Sequence, residues 1–228
     1  MNMFKAALFD MDGTLLNTEP IHKKAAEVLI KKLGYQDREK FEKAAKDGIG
    51  TTNYNAMELY KKAFNIPHTV EELVKEKSET YLKLLSESEI KLFYGVENLI
   101  ISMKNRGIKL AVASSSPMKE IDYIIGRFGL KKYFDELITG ENYKNSKPAP
   151  DIFLGAAKKL KTAPSECIVI EDSENGVKAA KKSGAFVVAY RHEDNEKFPL
   201  ADADIYIDDY NNAFDVIVKG FNEMEGKR

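Results

Sequence analysis

Lys5-Ala6-Ala7-Leu8-Phe9-Asp10-Met11-Asp12-Gly13-Thr14 decides the reading of this chain. The apolar run 6–9 is short and unbroken, the pattern of a strand buried on both faces of a parallel sheet. It ends in two carboxylates, a glycine and a threonine. In open α/β sheets ligands bind beyond the carboxyl ends of the strands, so Asp10 and Asp12 stand where chemistry is expected. A buried strand end disfavours paired carboxylates unless a cation neutralises them. Hard oxygen donors with room for phosphate and water suit Mg2+.

Outward from this stretch, three further segments repeat the theme. Lys109-Leu110-Ala111-Val112-Ala113 is a second apolar run and ends in Ser114-Ser115-Ser116. Ser146-Lys147-Pro148 opens a helix-like segment. Cys167-Ile168-Val169-Ile170 is a third run, ending in Glu171-Asp172-Ser173. Further strands are predicted near 136–139, 186–189 and 205–207. Their alternation with helices predicts an α/β fold with a doubly wound, parallel, Rossmann-like sheet. Residues 17–91 differ in character. Ile21, Ala25, Val28, Leu29 and Leu33 follow helical spacing and Gly34 is a stop signal. Phe41, Ala44 and Ala45 suggest a short helix before Gly48. Tyr54, Met57, Tyr60 and Phe64 suggest a third, closed by Pro67, and Val74, Tyr81 and Leu85 mark a long fourth. The division is a catalytic core of residues 1–16 and 92–228 and an inserted all-helical cap of 17–91, with hinges at Leu16–Thr18 and Ile90–Tyr94. The tail Glu223–Arg228 is polar and expected to fray.

Composition narrows the function classes. The chain has 228 residues and a formal net charge of -1. That charge gives no reason to expect nucleic acid or a membrane surface as partner. The single cysteine, Cys167, excludes an internal disulfide framework and reads as a small buried residue. No apolar run approaches the ~20 residues that span a bilayer, and no cationic and apolar leader pair opens the chain. A cytoplasmic monomer is the default expectation.

The four segments together resemble the motifs of the haloacid dehalogenase superfamily of phosphotransferases, in order: Asp10-Met11-Asp12-Gly13-Thr14, Ser114, Lys147 and Glu171-Asp172. Asn17-Thr18-Glu19-Pro20-Ile21-His22 and Ser146-Lys147-Pro148-Ala149-Pro150-Asp151-Ile152-Phe153 resemble its beta-phosphoglucomutase-like branch, which also contains many sugar-phosphate phosphatases. The resemblance implies Asp10 as nucleophile and Asp12 as acid and base. Mg2+ would lie among Asp10, the Asp12 carbonyl, Asp172 and Glu171, the last directly or through a metal-bound water. A turn aspartate at Asp12 and a helix cap at Asp172 are the bland alternatives.

Ser114, with Ser115 beside it, would hold phosphate oxygens at a helix N-terminus, with Ser115 or Ser116 as cap and Pro117 at the first helical position. Lys147 would set its ammonium against phosphate and Asp10. Thr18 and His22 lie in the hinge motif; in relatives a histidine there contacts the catalytic acid, and a solvent-facing histidine is the competing reading. The loop 47–53 is expected to face the substrate. Beta-phosphoglucomutases carry an arginine for the second phosphate of a bisphosphate where this chain has Thr51, and Lys75 or Lys77 are the cap lysines that could replace it. The expected reaction is Mg2+-dependent hydrolysis of a small phosphorylated metabolite. The runner-up is a sugar phosphomutase. A phosphorylation-responsive receiver module fits less well, because its phosphorylated aspartate ends an internal strand and it has no helical insert after the first.

Overall fold

The computed structural model describes residues 4–193, 195 and 200–226. Six strands, β1 (Ala6–Phe9), β2 (Lys109–Ser114), β3 (Glu136–Thr139), β4 (Cys167–Glu171), β5 (Phe186–Tyr190) and β6 (Ile205–Ile207), form one sheet. Their order is β3-β2-β1-β4-β5-β6 and every pairing is parallel. The strand after β1 goes to one side of it and β4 to the other. That reversal opens a crevice at the end of β1, the switch point of a doubly wound sheet.

Burial on both faces explains the unbroken apolar strands. In β1, Ala7 and Phe9 face the core shared with α5 (Val96–Asn105), α6 (Met118–Arg127) and α9 (Ala213–Glu225). Ala6 and Leu8 face the opposite core, built on α7 (Asp151–Lys159) and α8 (Glu174–Ser183). Strand side chains alternate between faces, so a layer of helices on each side demands apolar residues at every position.

Between β1 and α5 the chain forms four helices, α1 (Glu19–Lys32), α2 (Arg38–Gly48), α3 (Asn53–Phe64) and α4 (Val70–Glu87). They enclose a third apolar cluster that includes Leu29, Phe41, Met57, Tyr60 and Leu73. This is the inserted helical cap. Local chemistry sets its helix ends. Asp37 caps α2, Thr52 caps α3, and Thr69 with Glu72 forms a reciprocal capping box on α4. α3 ends at Phe64, three residues before Pro67, because Asn65 takes a left-handed conformation (φ 53°). The two chain crossings to the cap lie side by side: Leu16 bridges Leu92, and the Phe93 amide donates to the Leu15 carbonyl at 2.9 Å.

Three local expectations differ from the structure. Pro117 itself occupies the cap position of α6, one residue later than expected. Ser146–Pro150 is a turn ahead of α7 and not its first residues, with the Ala149 amide donating to the Ser146 carbonyl. The tail is helical through Glu225, because Ala213, Ile217 and Phe221 give α9 a buried stripe; residues 227 and 228 lie outside the described residues. Among the described residues no helix is long and apolar enough to cross a membrane.

Phe186 tests the packing of the second half of the sheet. It is 1% exposed and meets Phe221 edge-on at 5.7 Å. Phe186→Ala should lower the unfolding free energy by about 3–5 kcal/mol, read as a lower urea midpoint at unchanged slope.

Candidate active site

Three strand ends converge on one point. Asp10 follows β1, with its amide donating to the Ile170 carbonyl at 3.0 Å; Ser114 ends β2; Glu171 ends β4. Lys147 enters from the turn before α7. Its Nζ lies 2.5 Å from Asp10 Oδ1, 2.7 Å from Glu171 Oε1 and 3.2 Å from the Ala113 carbonyl. Burial alone would lower the Lys147 pKa, but the charges and hydrogen bonds of Asp10 and Glu171 outweigh it and hold it above the usual lysine value. The ammonium is therefore permanent.

Asp10 is held by one oxygen only. Among the described residues its Oδ2 takes no hydrogen bond, and the carboxylate lines the cavity. Burial pushes its pKa well above the ordinary range; Lys147 opposes this, and Glu171, Asp172 and Asp12 add to it. Asp12 is in the reverse situation. Its Oδ1 accepts from the Thr18 hydroxyl and faces His22 Nε2 at 3.3 Å; its Oδ2 accepts from Ser116 Oγ at 2.7 Å and Ser114 Oγ at 3.3 Å. Burial pushes Asp12 up, but His22, Thr18 and Ser116 more than reverse it and hold the carboxyl well below its usual range.

His22 is neither solvent-facing nor idle. Its ring stacks on Tyr81 at 4.0 Å, and Lys77 Nζ sits 2.5 Å from its Nδ1. An ammonium donating to Nδ1 leaves the proton on Nε2, which then donates to Asp12.

Thr18, read from the sequence as a substrate-binding residue, is fully buried and gives its hydroxyl to Asp12. Thr51 does line the cavity, but its hydroxyl donates to the Gly48 carbonyl at 2.7 Å within its own loop. Ser115 also lines it and reaches the Gly50 carbonyl of the cap loop at 3.4 Å. Lys75 is exposed, whereas Lys77 is buried in the cavity wall.

The cap is closed over this end of the sheet. Asn175 donates to the Ile49 carbonyl and Asn55 to Ser146 Oγ at 2.7 Å. Gly50 has φ +71°, and a Cβ there would stand 2.9 Å from Ser173 Oγ, so a side chain would hold the loop off. The cavity between cap and sheet edge measures about 460 Å³. Asp10, Asp12, Ser114 and Ser116 lie at one end, and Ala26, Ala44, Ala45, Ala56, Met57 and Tyr60 line the cap side.

The donor chemistry fits Mg2+. Asp10, Asp12, Glu19, Glu171 and Asp172 gather around this end, against the buried ammoniums Lys147 and Lys77. Asp172 accepts from Thr14 Oγ1 at 3.0 Å and faces His192 Nε2 at 3.4 Å. Gly13 (φ +87°) makes room for it, since a Cβ there would stand 2.1 Å from Asp172 Oδ2. Burial, then the charges of Glu171 and Glu19, push the Asp172 pKa well up. Such repulsion is what a hard cation relieves. Both oxygens of Glu171 are engaged by the protein. Its Oε1 receives Lys147, and its Oε2 receives the Asp172 and Ser173 amides and Ser173 Oγ at 2.9–3.0 Å. The cap of α8 is Ser173, not Asp172. Among the described residues no three His, Cys, Asp or Glu side chains converge as ligands; the fitting set is two carboxylates, a backbone carbonyl and waters, which Mg2+ accepts.

The sequence reading has Ser116 only as a candidate helix cap and Asn53 only as the last residue of the 47–53 loop, and it does not single out Glu120, which carries no motif.

A parallel sheet with a helical insert after its first strand, and an aspartate pair facing a buried lysine at its carboxyl edge, defines a class of phosphate-handling hydrolases. The chain belongs to the haloacid dehalogenase-like hydrolase family, whose model matches residues 7–190. It falls in the beta-phosphoglucomutase-like branch and is a phosphoric monoester hydrolase. It is 33% identical over 184 residues to a phosphorylated carbohydrates phosphatase of Thermotoga maritima, covering 79% of this chain and 82% of that one. It is 31% identical over 202 residues to hexitol phosphatase B of Escherichia coli, covering 86% and 89%. The crystal structure of beta-phosphoglucomutase from Clostridium difficile superposes with a TM-score of 0.83 at 28% identity, covering 97% of this chain and 99% of that one.

The electrostatics predict a stability effect without any assay of activity. A carboxyl whose pKa is raised by folding binds its proton more tightly in the native state, so its ionised form is a net cost at neutral pH. In EDTA, Asp172→Asn should raise the melting temperature at pH 7 by about 2–4 °C, the shift that ~1 kcal/mol produces at this chain length. The gain should shrink as pH falls and the wild-type carboxyl takes up its proton. Mg2+ should raise the wild-type melting temperature and move that of Asp172→Asn less.

Proposed function

We propose that this protein is a Mg2+-dependent phosphatase of a small phosphomonoester, a sugar phosphate or similar metabolite, acting through a phosphoaspartate on Asp10. The carrying observation is the opposite treatment of the two aspartates: Asp10 has one oxygen pinned by Lys147 and one free, while all four hydrogen bonds to Asp12 hold it as a carboxylate. The names of the Thermotoga and Escherichia relatives support a phosphorylated carbohydrate as substrate. The working division is a core of 1–16 and 92–228 and a cap of 17–91, hinged where Leu16 and Leu92 pair.

In this reading Asp10 Oδ2 attacks phosphorus, forming the aspartyl O–P bond as the bond to the leaving oxygen breaks. Asp12 gives that oxygen its proton, and the alcohol departs. Asp12 then takes a proton from water as the water oxygen bonds to phosphorus and the aspartyl bond breaks, releasing phosphate. Lys147 and the Ser114 loop neutralise charge on the transferring group. Asp10, Asp172 and the Asp12 carbonyl would hold Mg2+, which supplies charge stabilisation on the phosphoryl oxygens. Glu171 orients Lys147 and the 172–173 loop, acting on the metal through Asp172 and water rather than by a direct bond.

The fold neighbour from Clostridium difficile favours the mutase as second reading. A mutase must grip a second phosphate. Among the described residues no arginine lines this cavity, Lys23 is paired with Glu42 at 2.7 Å, Lys77 is turned to His22 and Asn53, and Lys46 stands exposed at the rim. Asp47 beside the loop has the wrong sign, and Thr51 offers no fork. Water is therefore the acceptor. Given beta-glucose 1-phosphate with catalytic bisphosphate and Mg2+, the enzyme should release free phosphate from phosphomonoesters with little glucose 6-phosphate formed. Rapid isomerisation with negligible phosphate release reverses the assignment.

Asp12 is tested by leaving group. Asp12→Asn should slow hydrolysis of alkyl phosphates by about 10²–10⁴-fold, the usual worth of a positioned acid. Nitrophenyl phosphate should still phosphorylate Asp10 quickly, giving a nitrophenolate burst followed by slow turnover. Equal losses on both substrates without a burst count against the role. EDTA should abolish wild-type turnover and Mg2+ restore it.

A further inference from the structure

A chain of five side chains leaves the core at Asp12, runs through the cap and returns to the core at Glu120. Asp12 meets His22 of α1, His22 meets Lys77 of α4, Lys77 Nζ donates to Asn53 Oδ1 of α3 at 2.7 Å, and Asn53 Nδ2 donates to Glu120 Oε1 of α6 at 3.2 Å. Ser78 of α4 adds a second cap donor to the same Glu120 oxygen at 2.5 Å. Glu120 is wholly buried, Lys77 is 3% exposed and Asn53 7%.

The polarity along this chain is directional. The Asn53 amide presents its oxygen to an ammonium and its N–H to a carboxylate, so its dipole lies between opposite charges and is favourable to both. Among the described residues Lys77 has no carboxylate within 4 Å, and Glu120 Oε2 has no hydrogen-bond partner. Each is a buried charge incompletely satisfied by its own neighbours, an arrangement that is costly unless the opposite charge is close. Burial lowers the Lys77 pKa, and Glu120 is the foremost charge acting against that fall. Lys147, the other buried ammonium, is already paired with Asp10 and Glu171.

We propose that Glu120 is a positioning residue. It docks the closed cap through Asn53 and Ser78 and, across the Asn53 amide, balances the charge of Lys77, so that Lys77 keeps His22 turned toward Asp12. Glu120 touches no reacting atom and does not line the cavity. Its consequence for catalysis rests on the phosphatase reading; its coupling to Lys77 does not. Opening the cap separates Glu120 from Asn53, Lys77 and Ser78 and lets water reach all of them, so one event breaks the docking contact and frees the histidine.

The test is a double-mutant cycle on the Mg2+-loaded protein with Glu120→Gln, Lys77→Met and the double variant. Glutamine keeps an acceptor for Ser78 and Asn53 and removes the charge. Each single variant should lower the melting temperature by about 5 °C, and the double should fall well short of the sum, because breaking one partner of a buried pair strands the other. Additive losses overturn the proposal. If Glu120→Gln alone fails to fold, recovery of the fold in the double variant supports the coupling and failure of both refutes it. With kinetics in hand, Glu120→Gln should cut turnover of an alkyl phosphate about tenfold while leaving the nitrophenyl phosphate burst within about twofold, since that leaving group needs no proton. Equal losses on the two substrates mean a merely structural residue. If the wild type releases phosphate from no phosphomonoester, the phosphatase reading fails and the thermal cycle still decides the coupling.

Discussion

The ammonium of Lys147 is the contact on which the site depends. It joins the ends of β1 and β4 through Asp10 and Glu171 and touches the end of β2 through the Ala113 carbonyl. Without it, Asp10, Glu171 and Asp172 would repel one another at the buried edge of a sheet, where water cannot screen them. One lysine cannot balance three carboxylates. The residual negative charge would favour a divalent cation, and burial, together with that imbalance, pushes the pKa values of Asp10 and Asp172 up.

A site made at strand ends is open by construction, and the insert after β1 closes it. The chain leaves the core two residues past the Asp12-Gly13-Thr14 turn and re-enters beside its own exit, at Leu92. Hinges so close to Asp12 make the cap's position and the environment of Asp12 one variable. Thr18 and His22 reach Asp12 from the first residues past the hinge. The Gly50 loop meets Ser115 and Ser173, on the two loops that flank the phosphate end. In the proposed mechanism, cap closure would assemble the surroundings of Asp12 and shut out water in the same movement.

The architecture was legible because each strand carries a local signal. Burial on both faces turns β1, β2 and β4 into apolar runs, and each run leads into a residue of the candidate site. The cap helices were legible from 3.6-residue spacing. Some helix ends were not, because Asn65 stops the cap helix α3 by a backbone conformation and Pro117 sits at the cap of the core helix α6 instead of its first turn. Individual roles were less legible still. Thr18 and Glu171 were recognised as site residues, yet their partners depend on which way a side chain turns, and no spacing records that. Asn53 and Glu120 lie 67 residues apart and meet only when the cap is down. A buried glutamate on an amphipathic helix looks, in sequence, like any solvated one.

On the proposed mechanism, the four hydrogen bonds to Asp12 bear on how one carboxyl would serve as acid and then as base. Ser114, Ser116, Thr18 and His22 all stabilise the anion, which is the state a base needs. A phosphate oxygen entering beside Asp10 competes for the Ser114 and Ser116 hydroxyls and brings negative charge close to Asp12. Both changes favour the protonated carboxyl, the state an acid needs. Loss of the alcohol removes the oxygen that took the proton and leaves Asp12 an anion again, with Thr18 and His22 still in place to hold it. The cap-borne pair thus sets the resting state of Asp12, and the core serines, shared between Asp12 and the phosphate, make that state respond to what occupies the site.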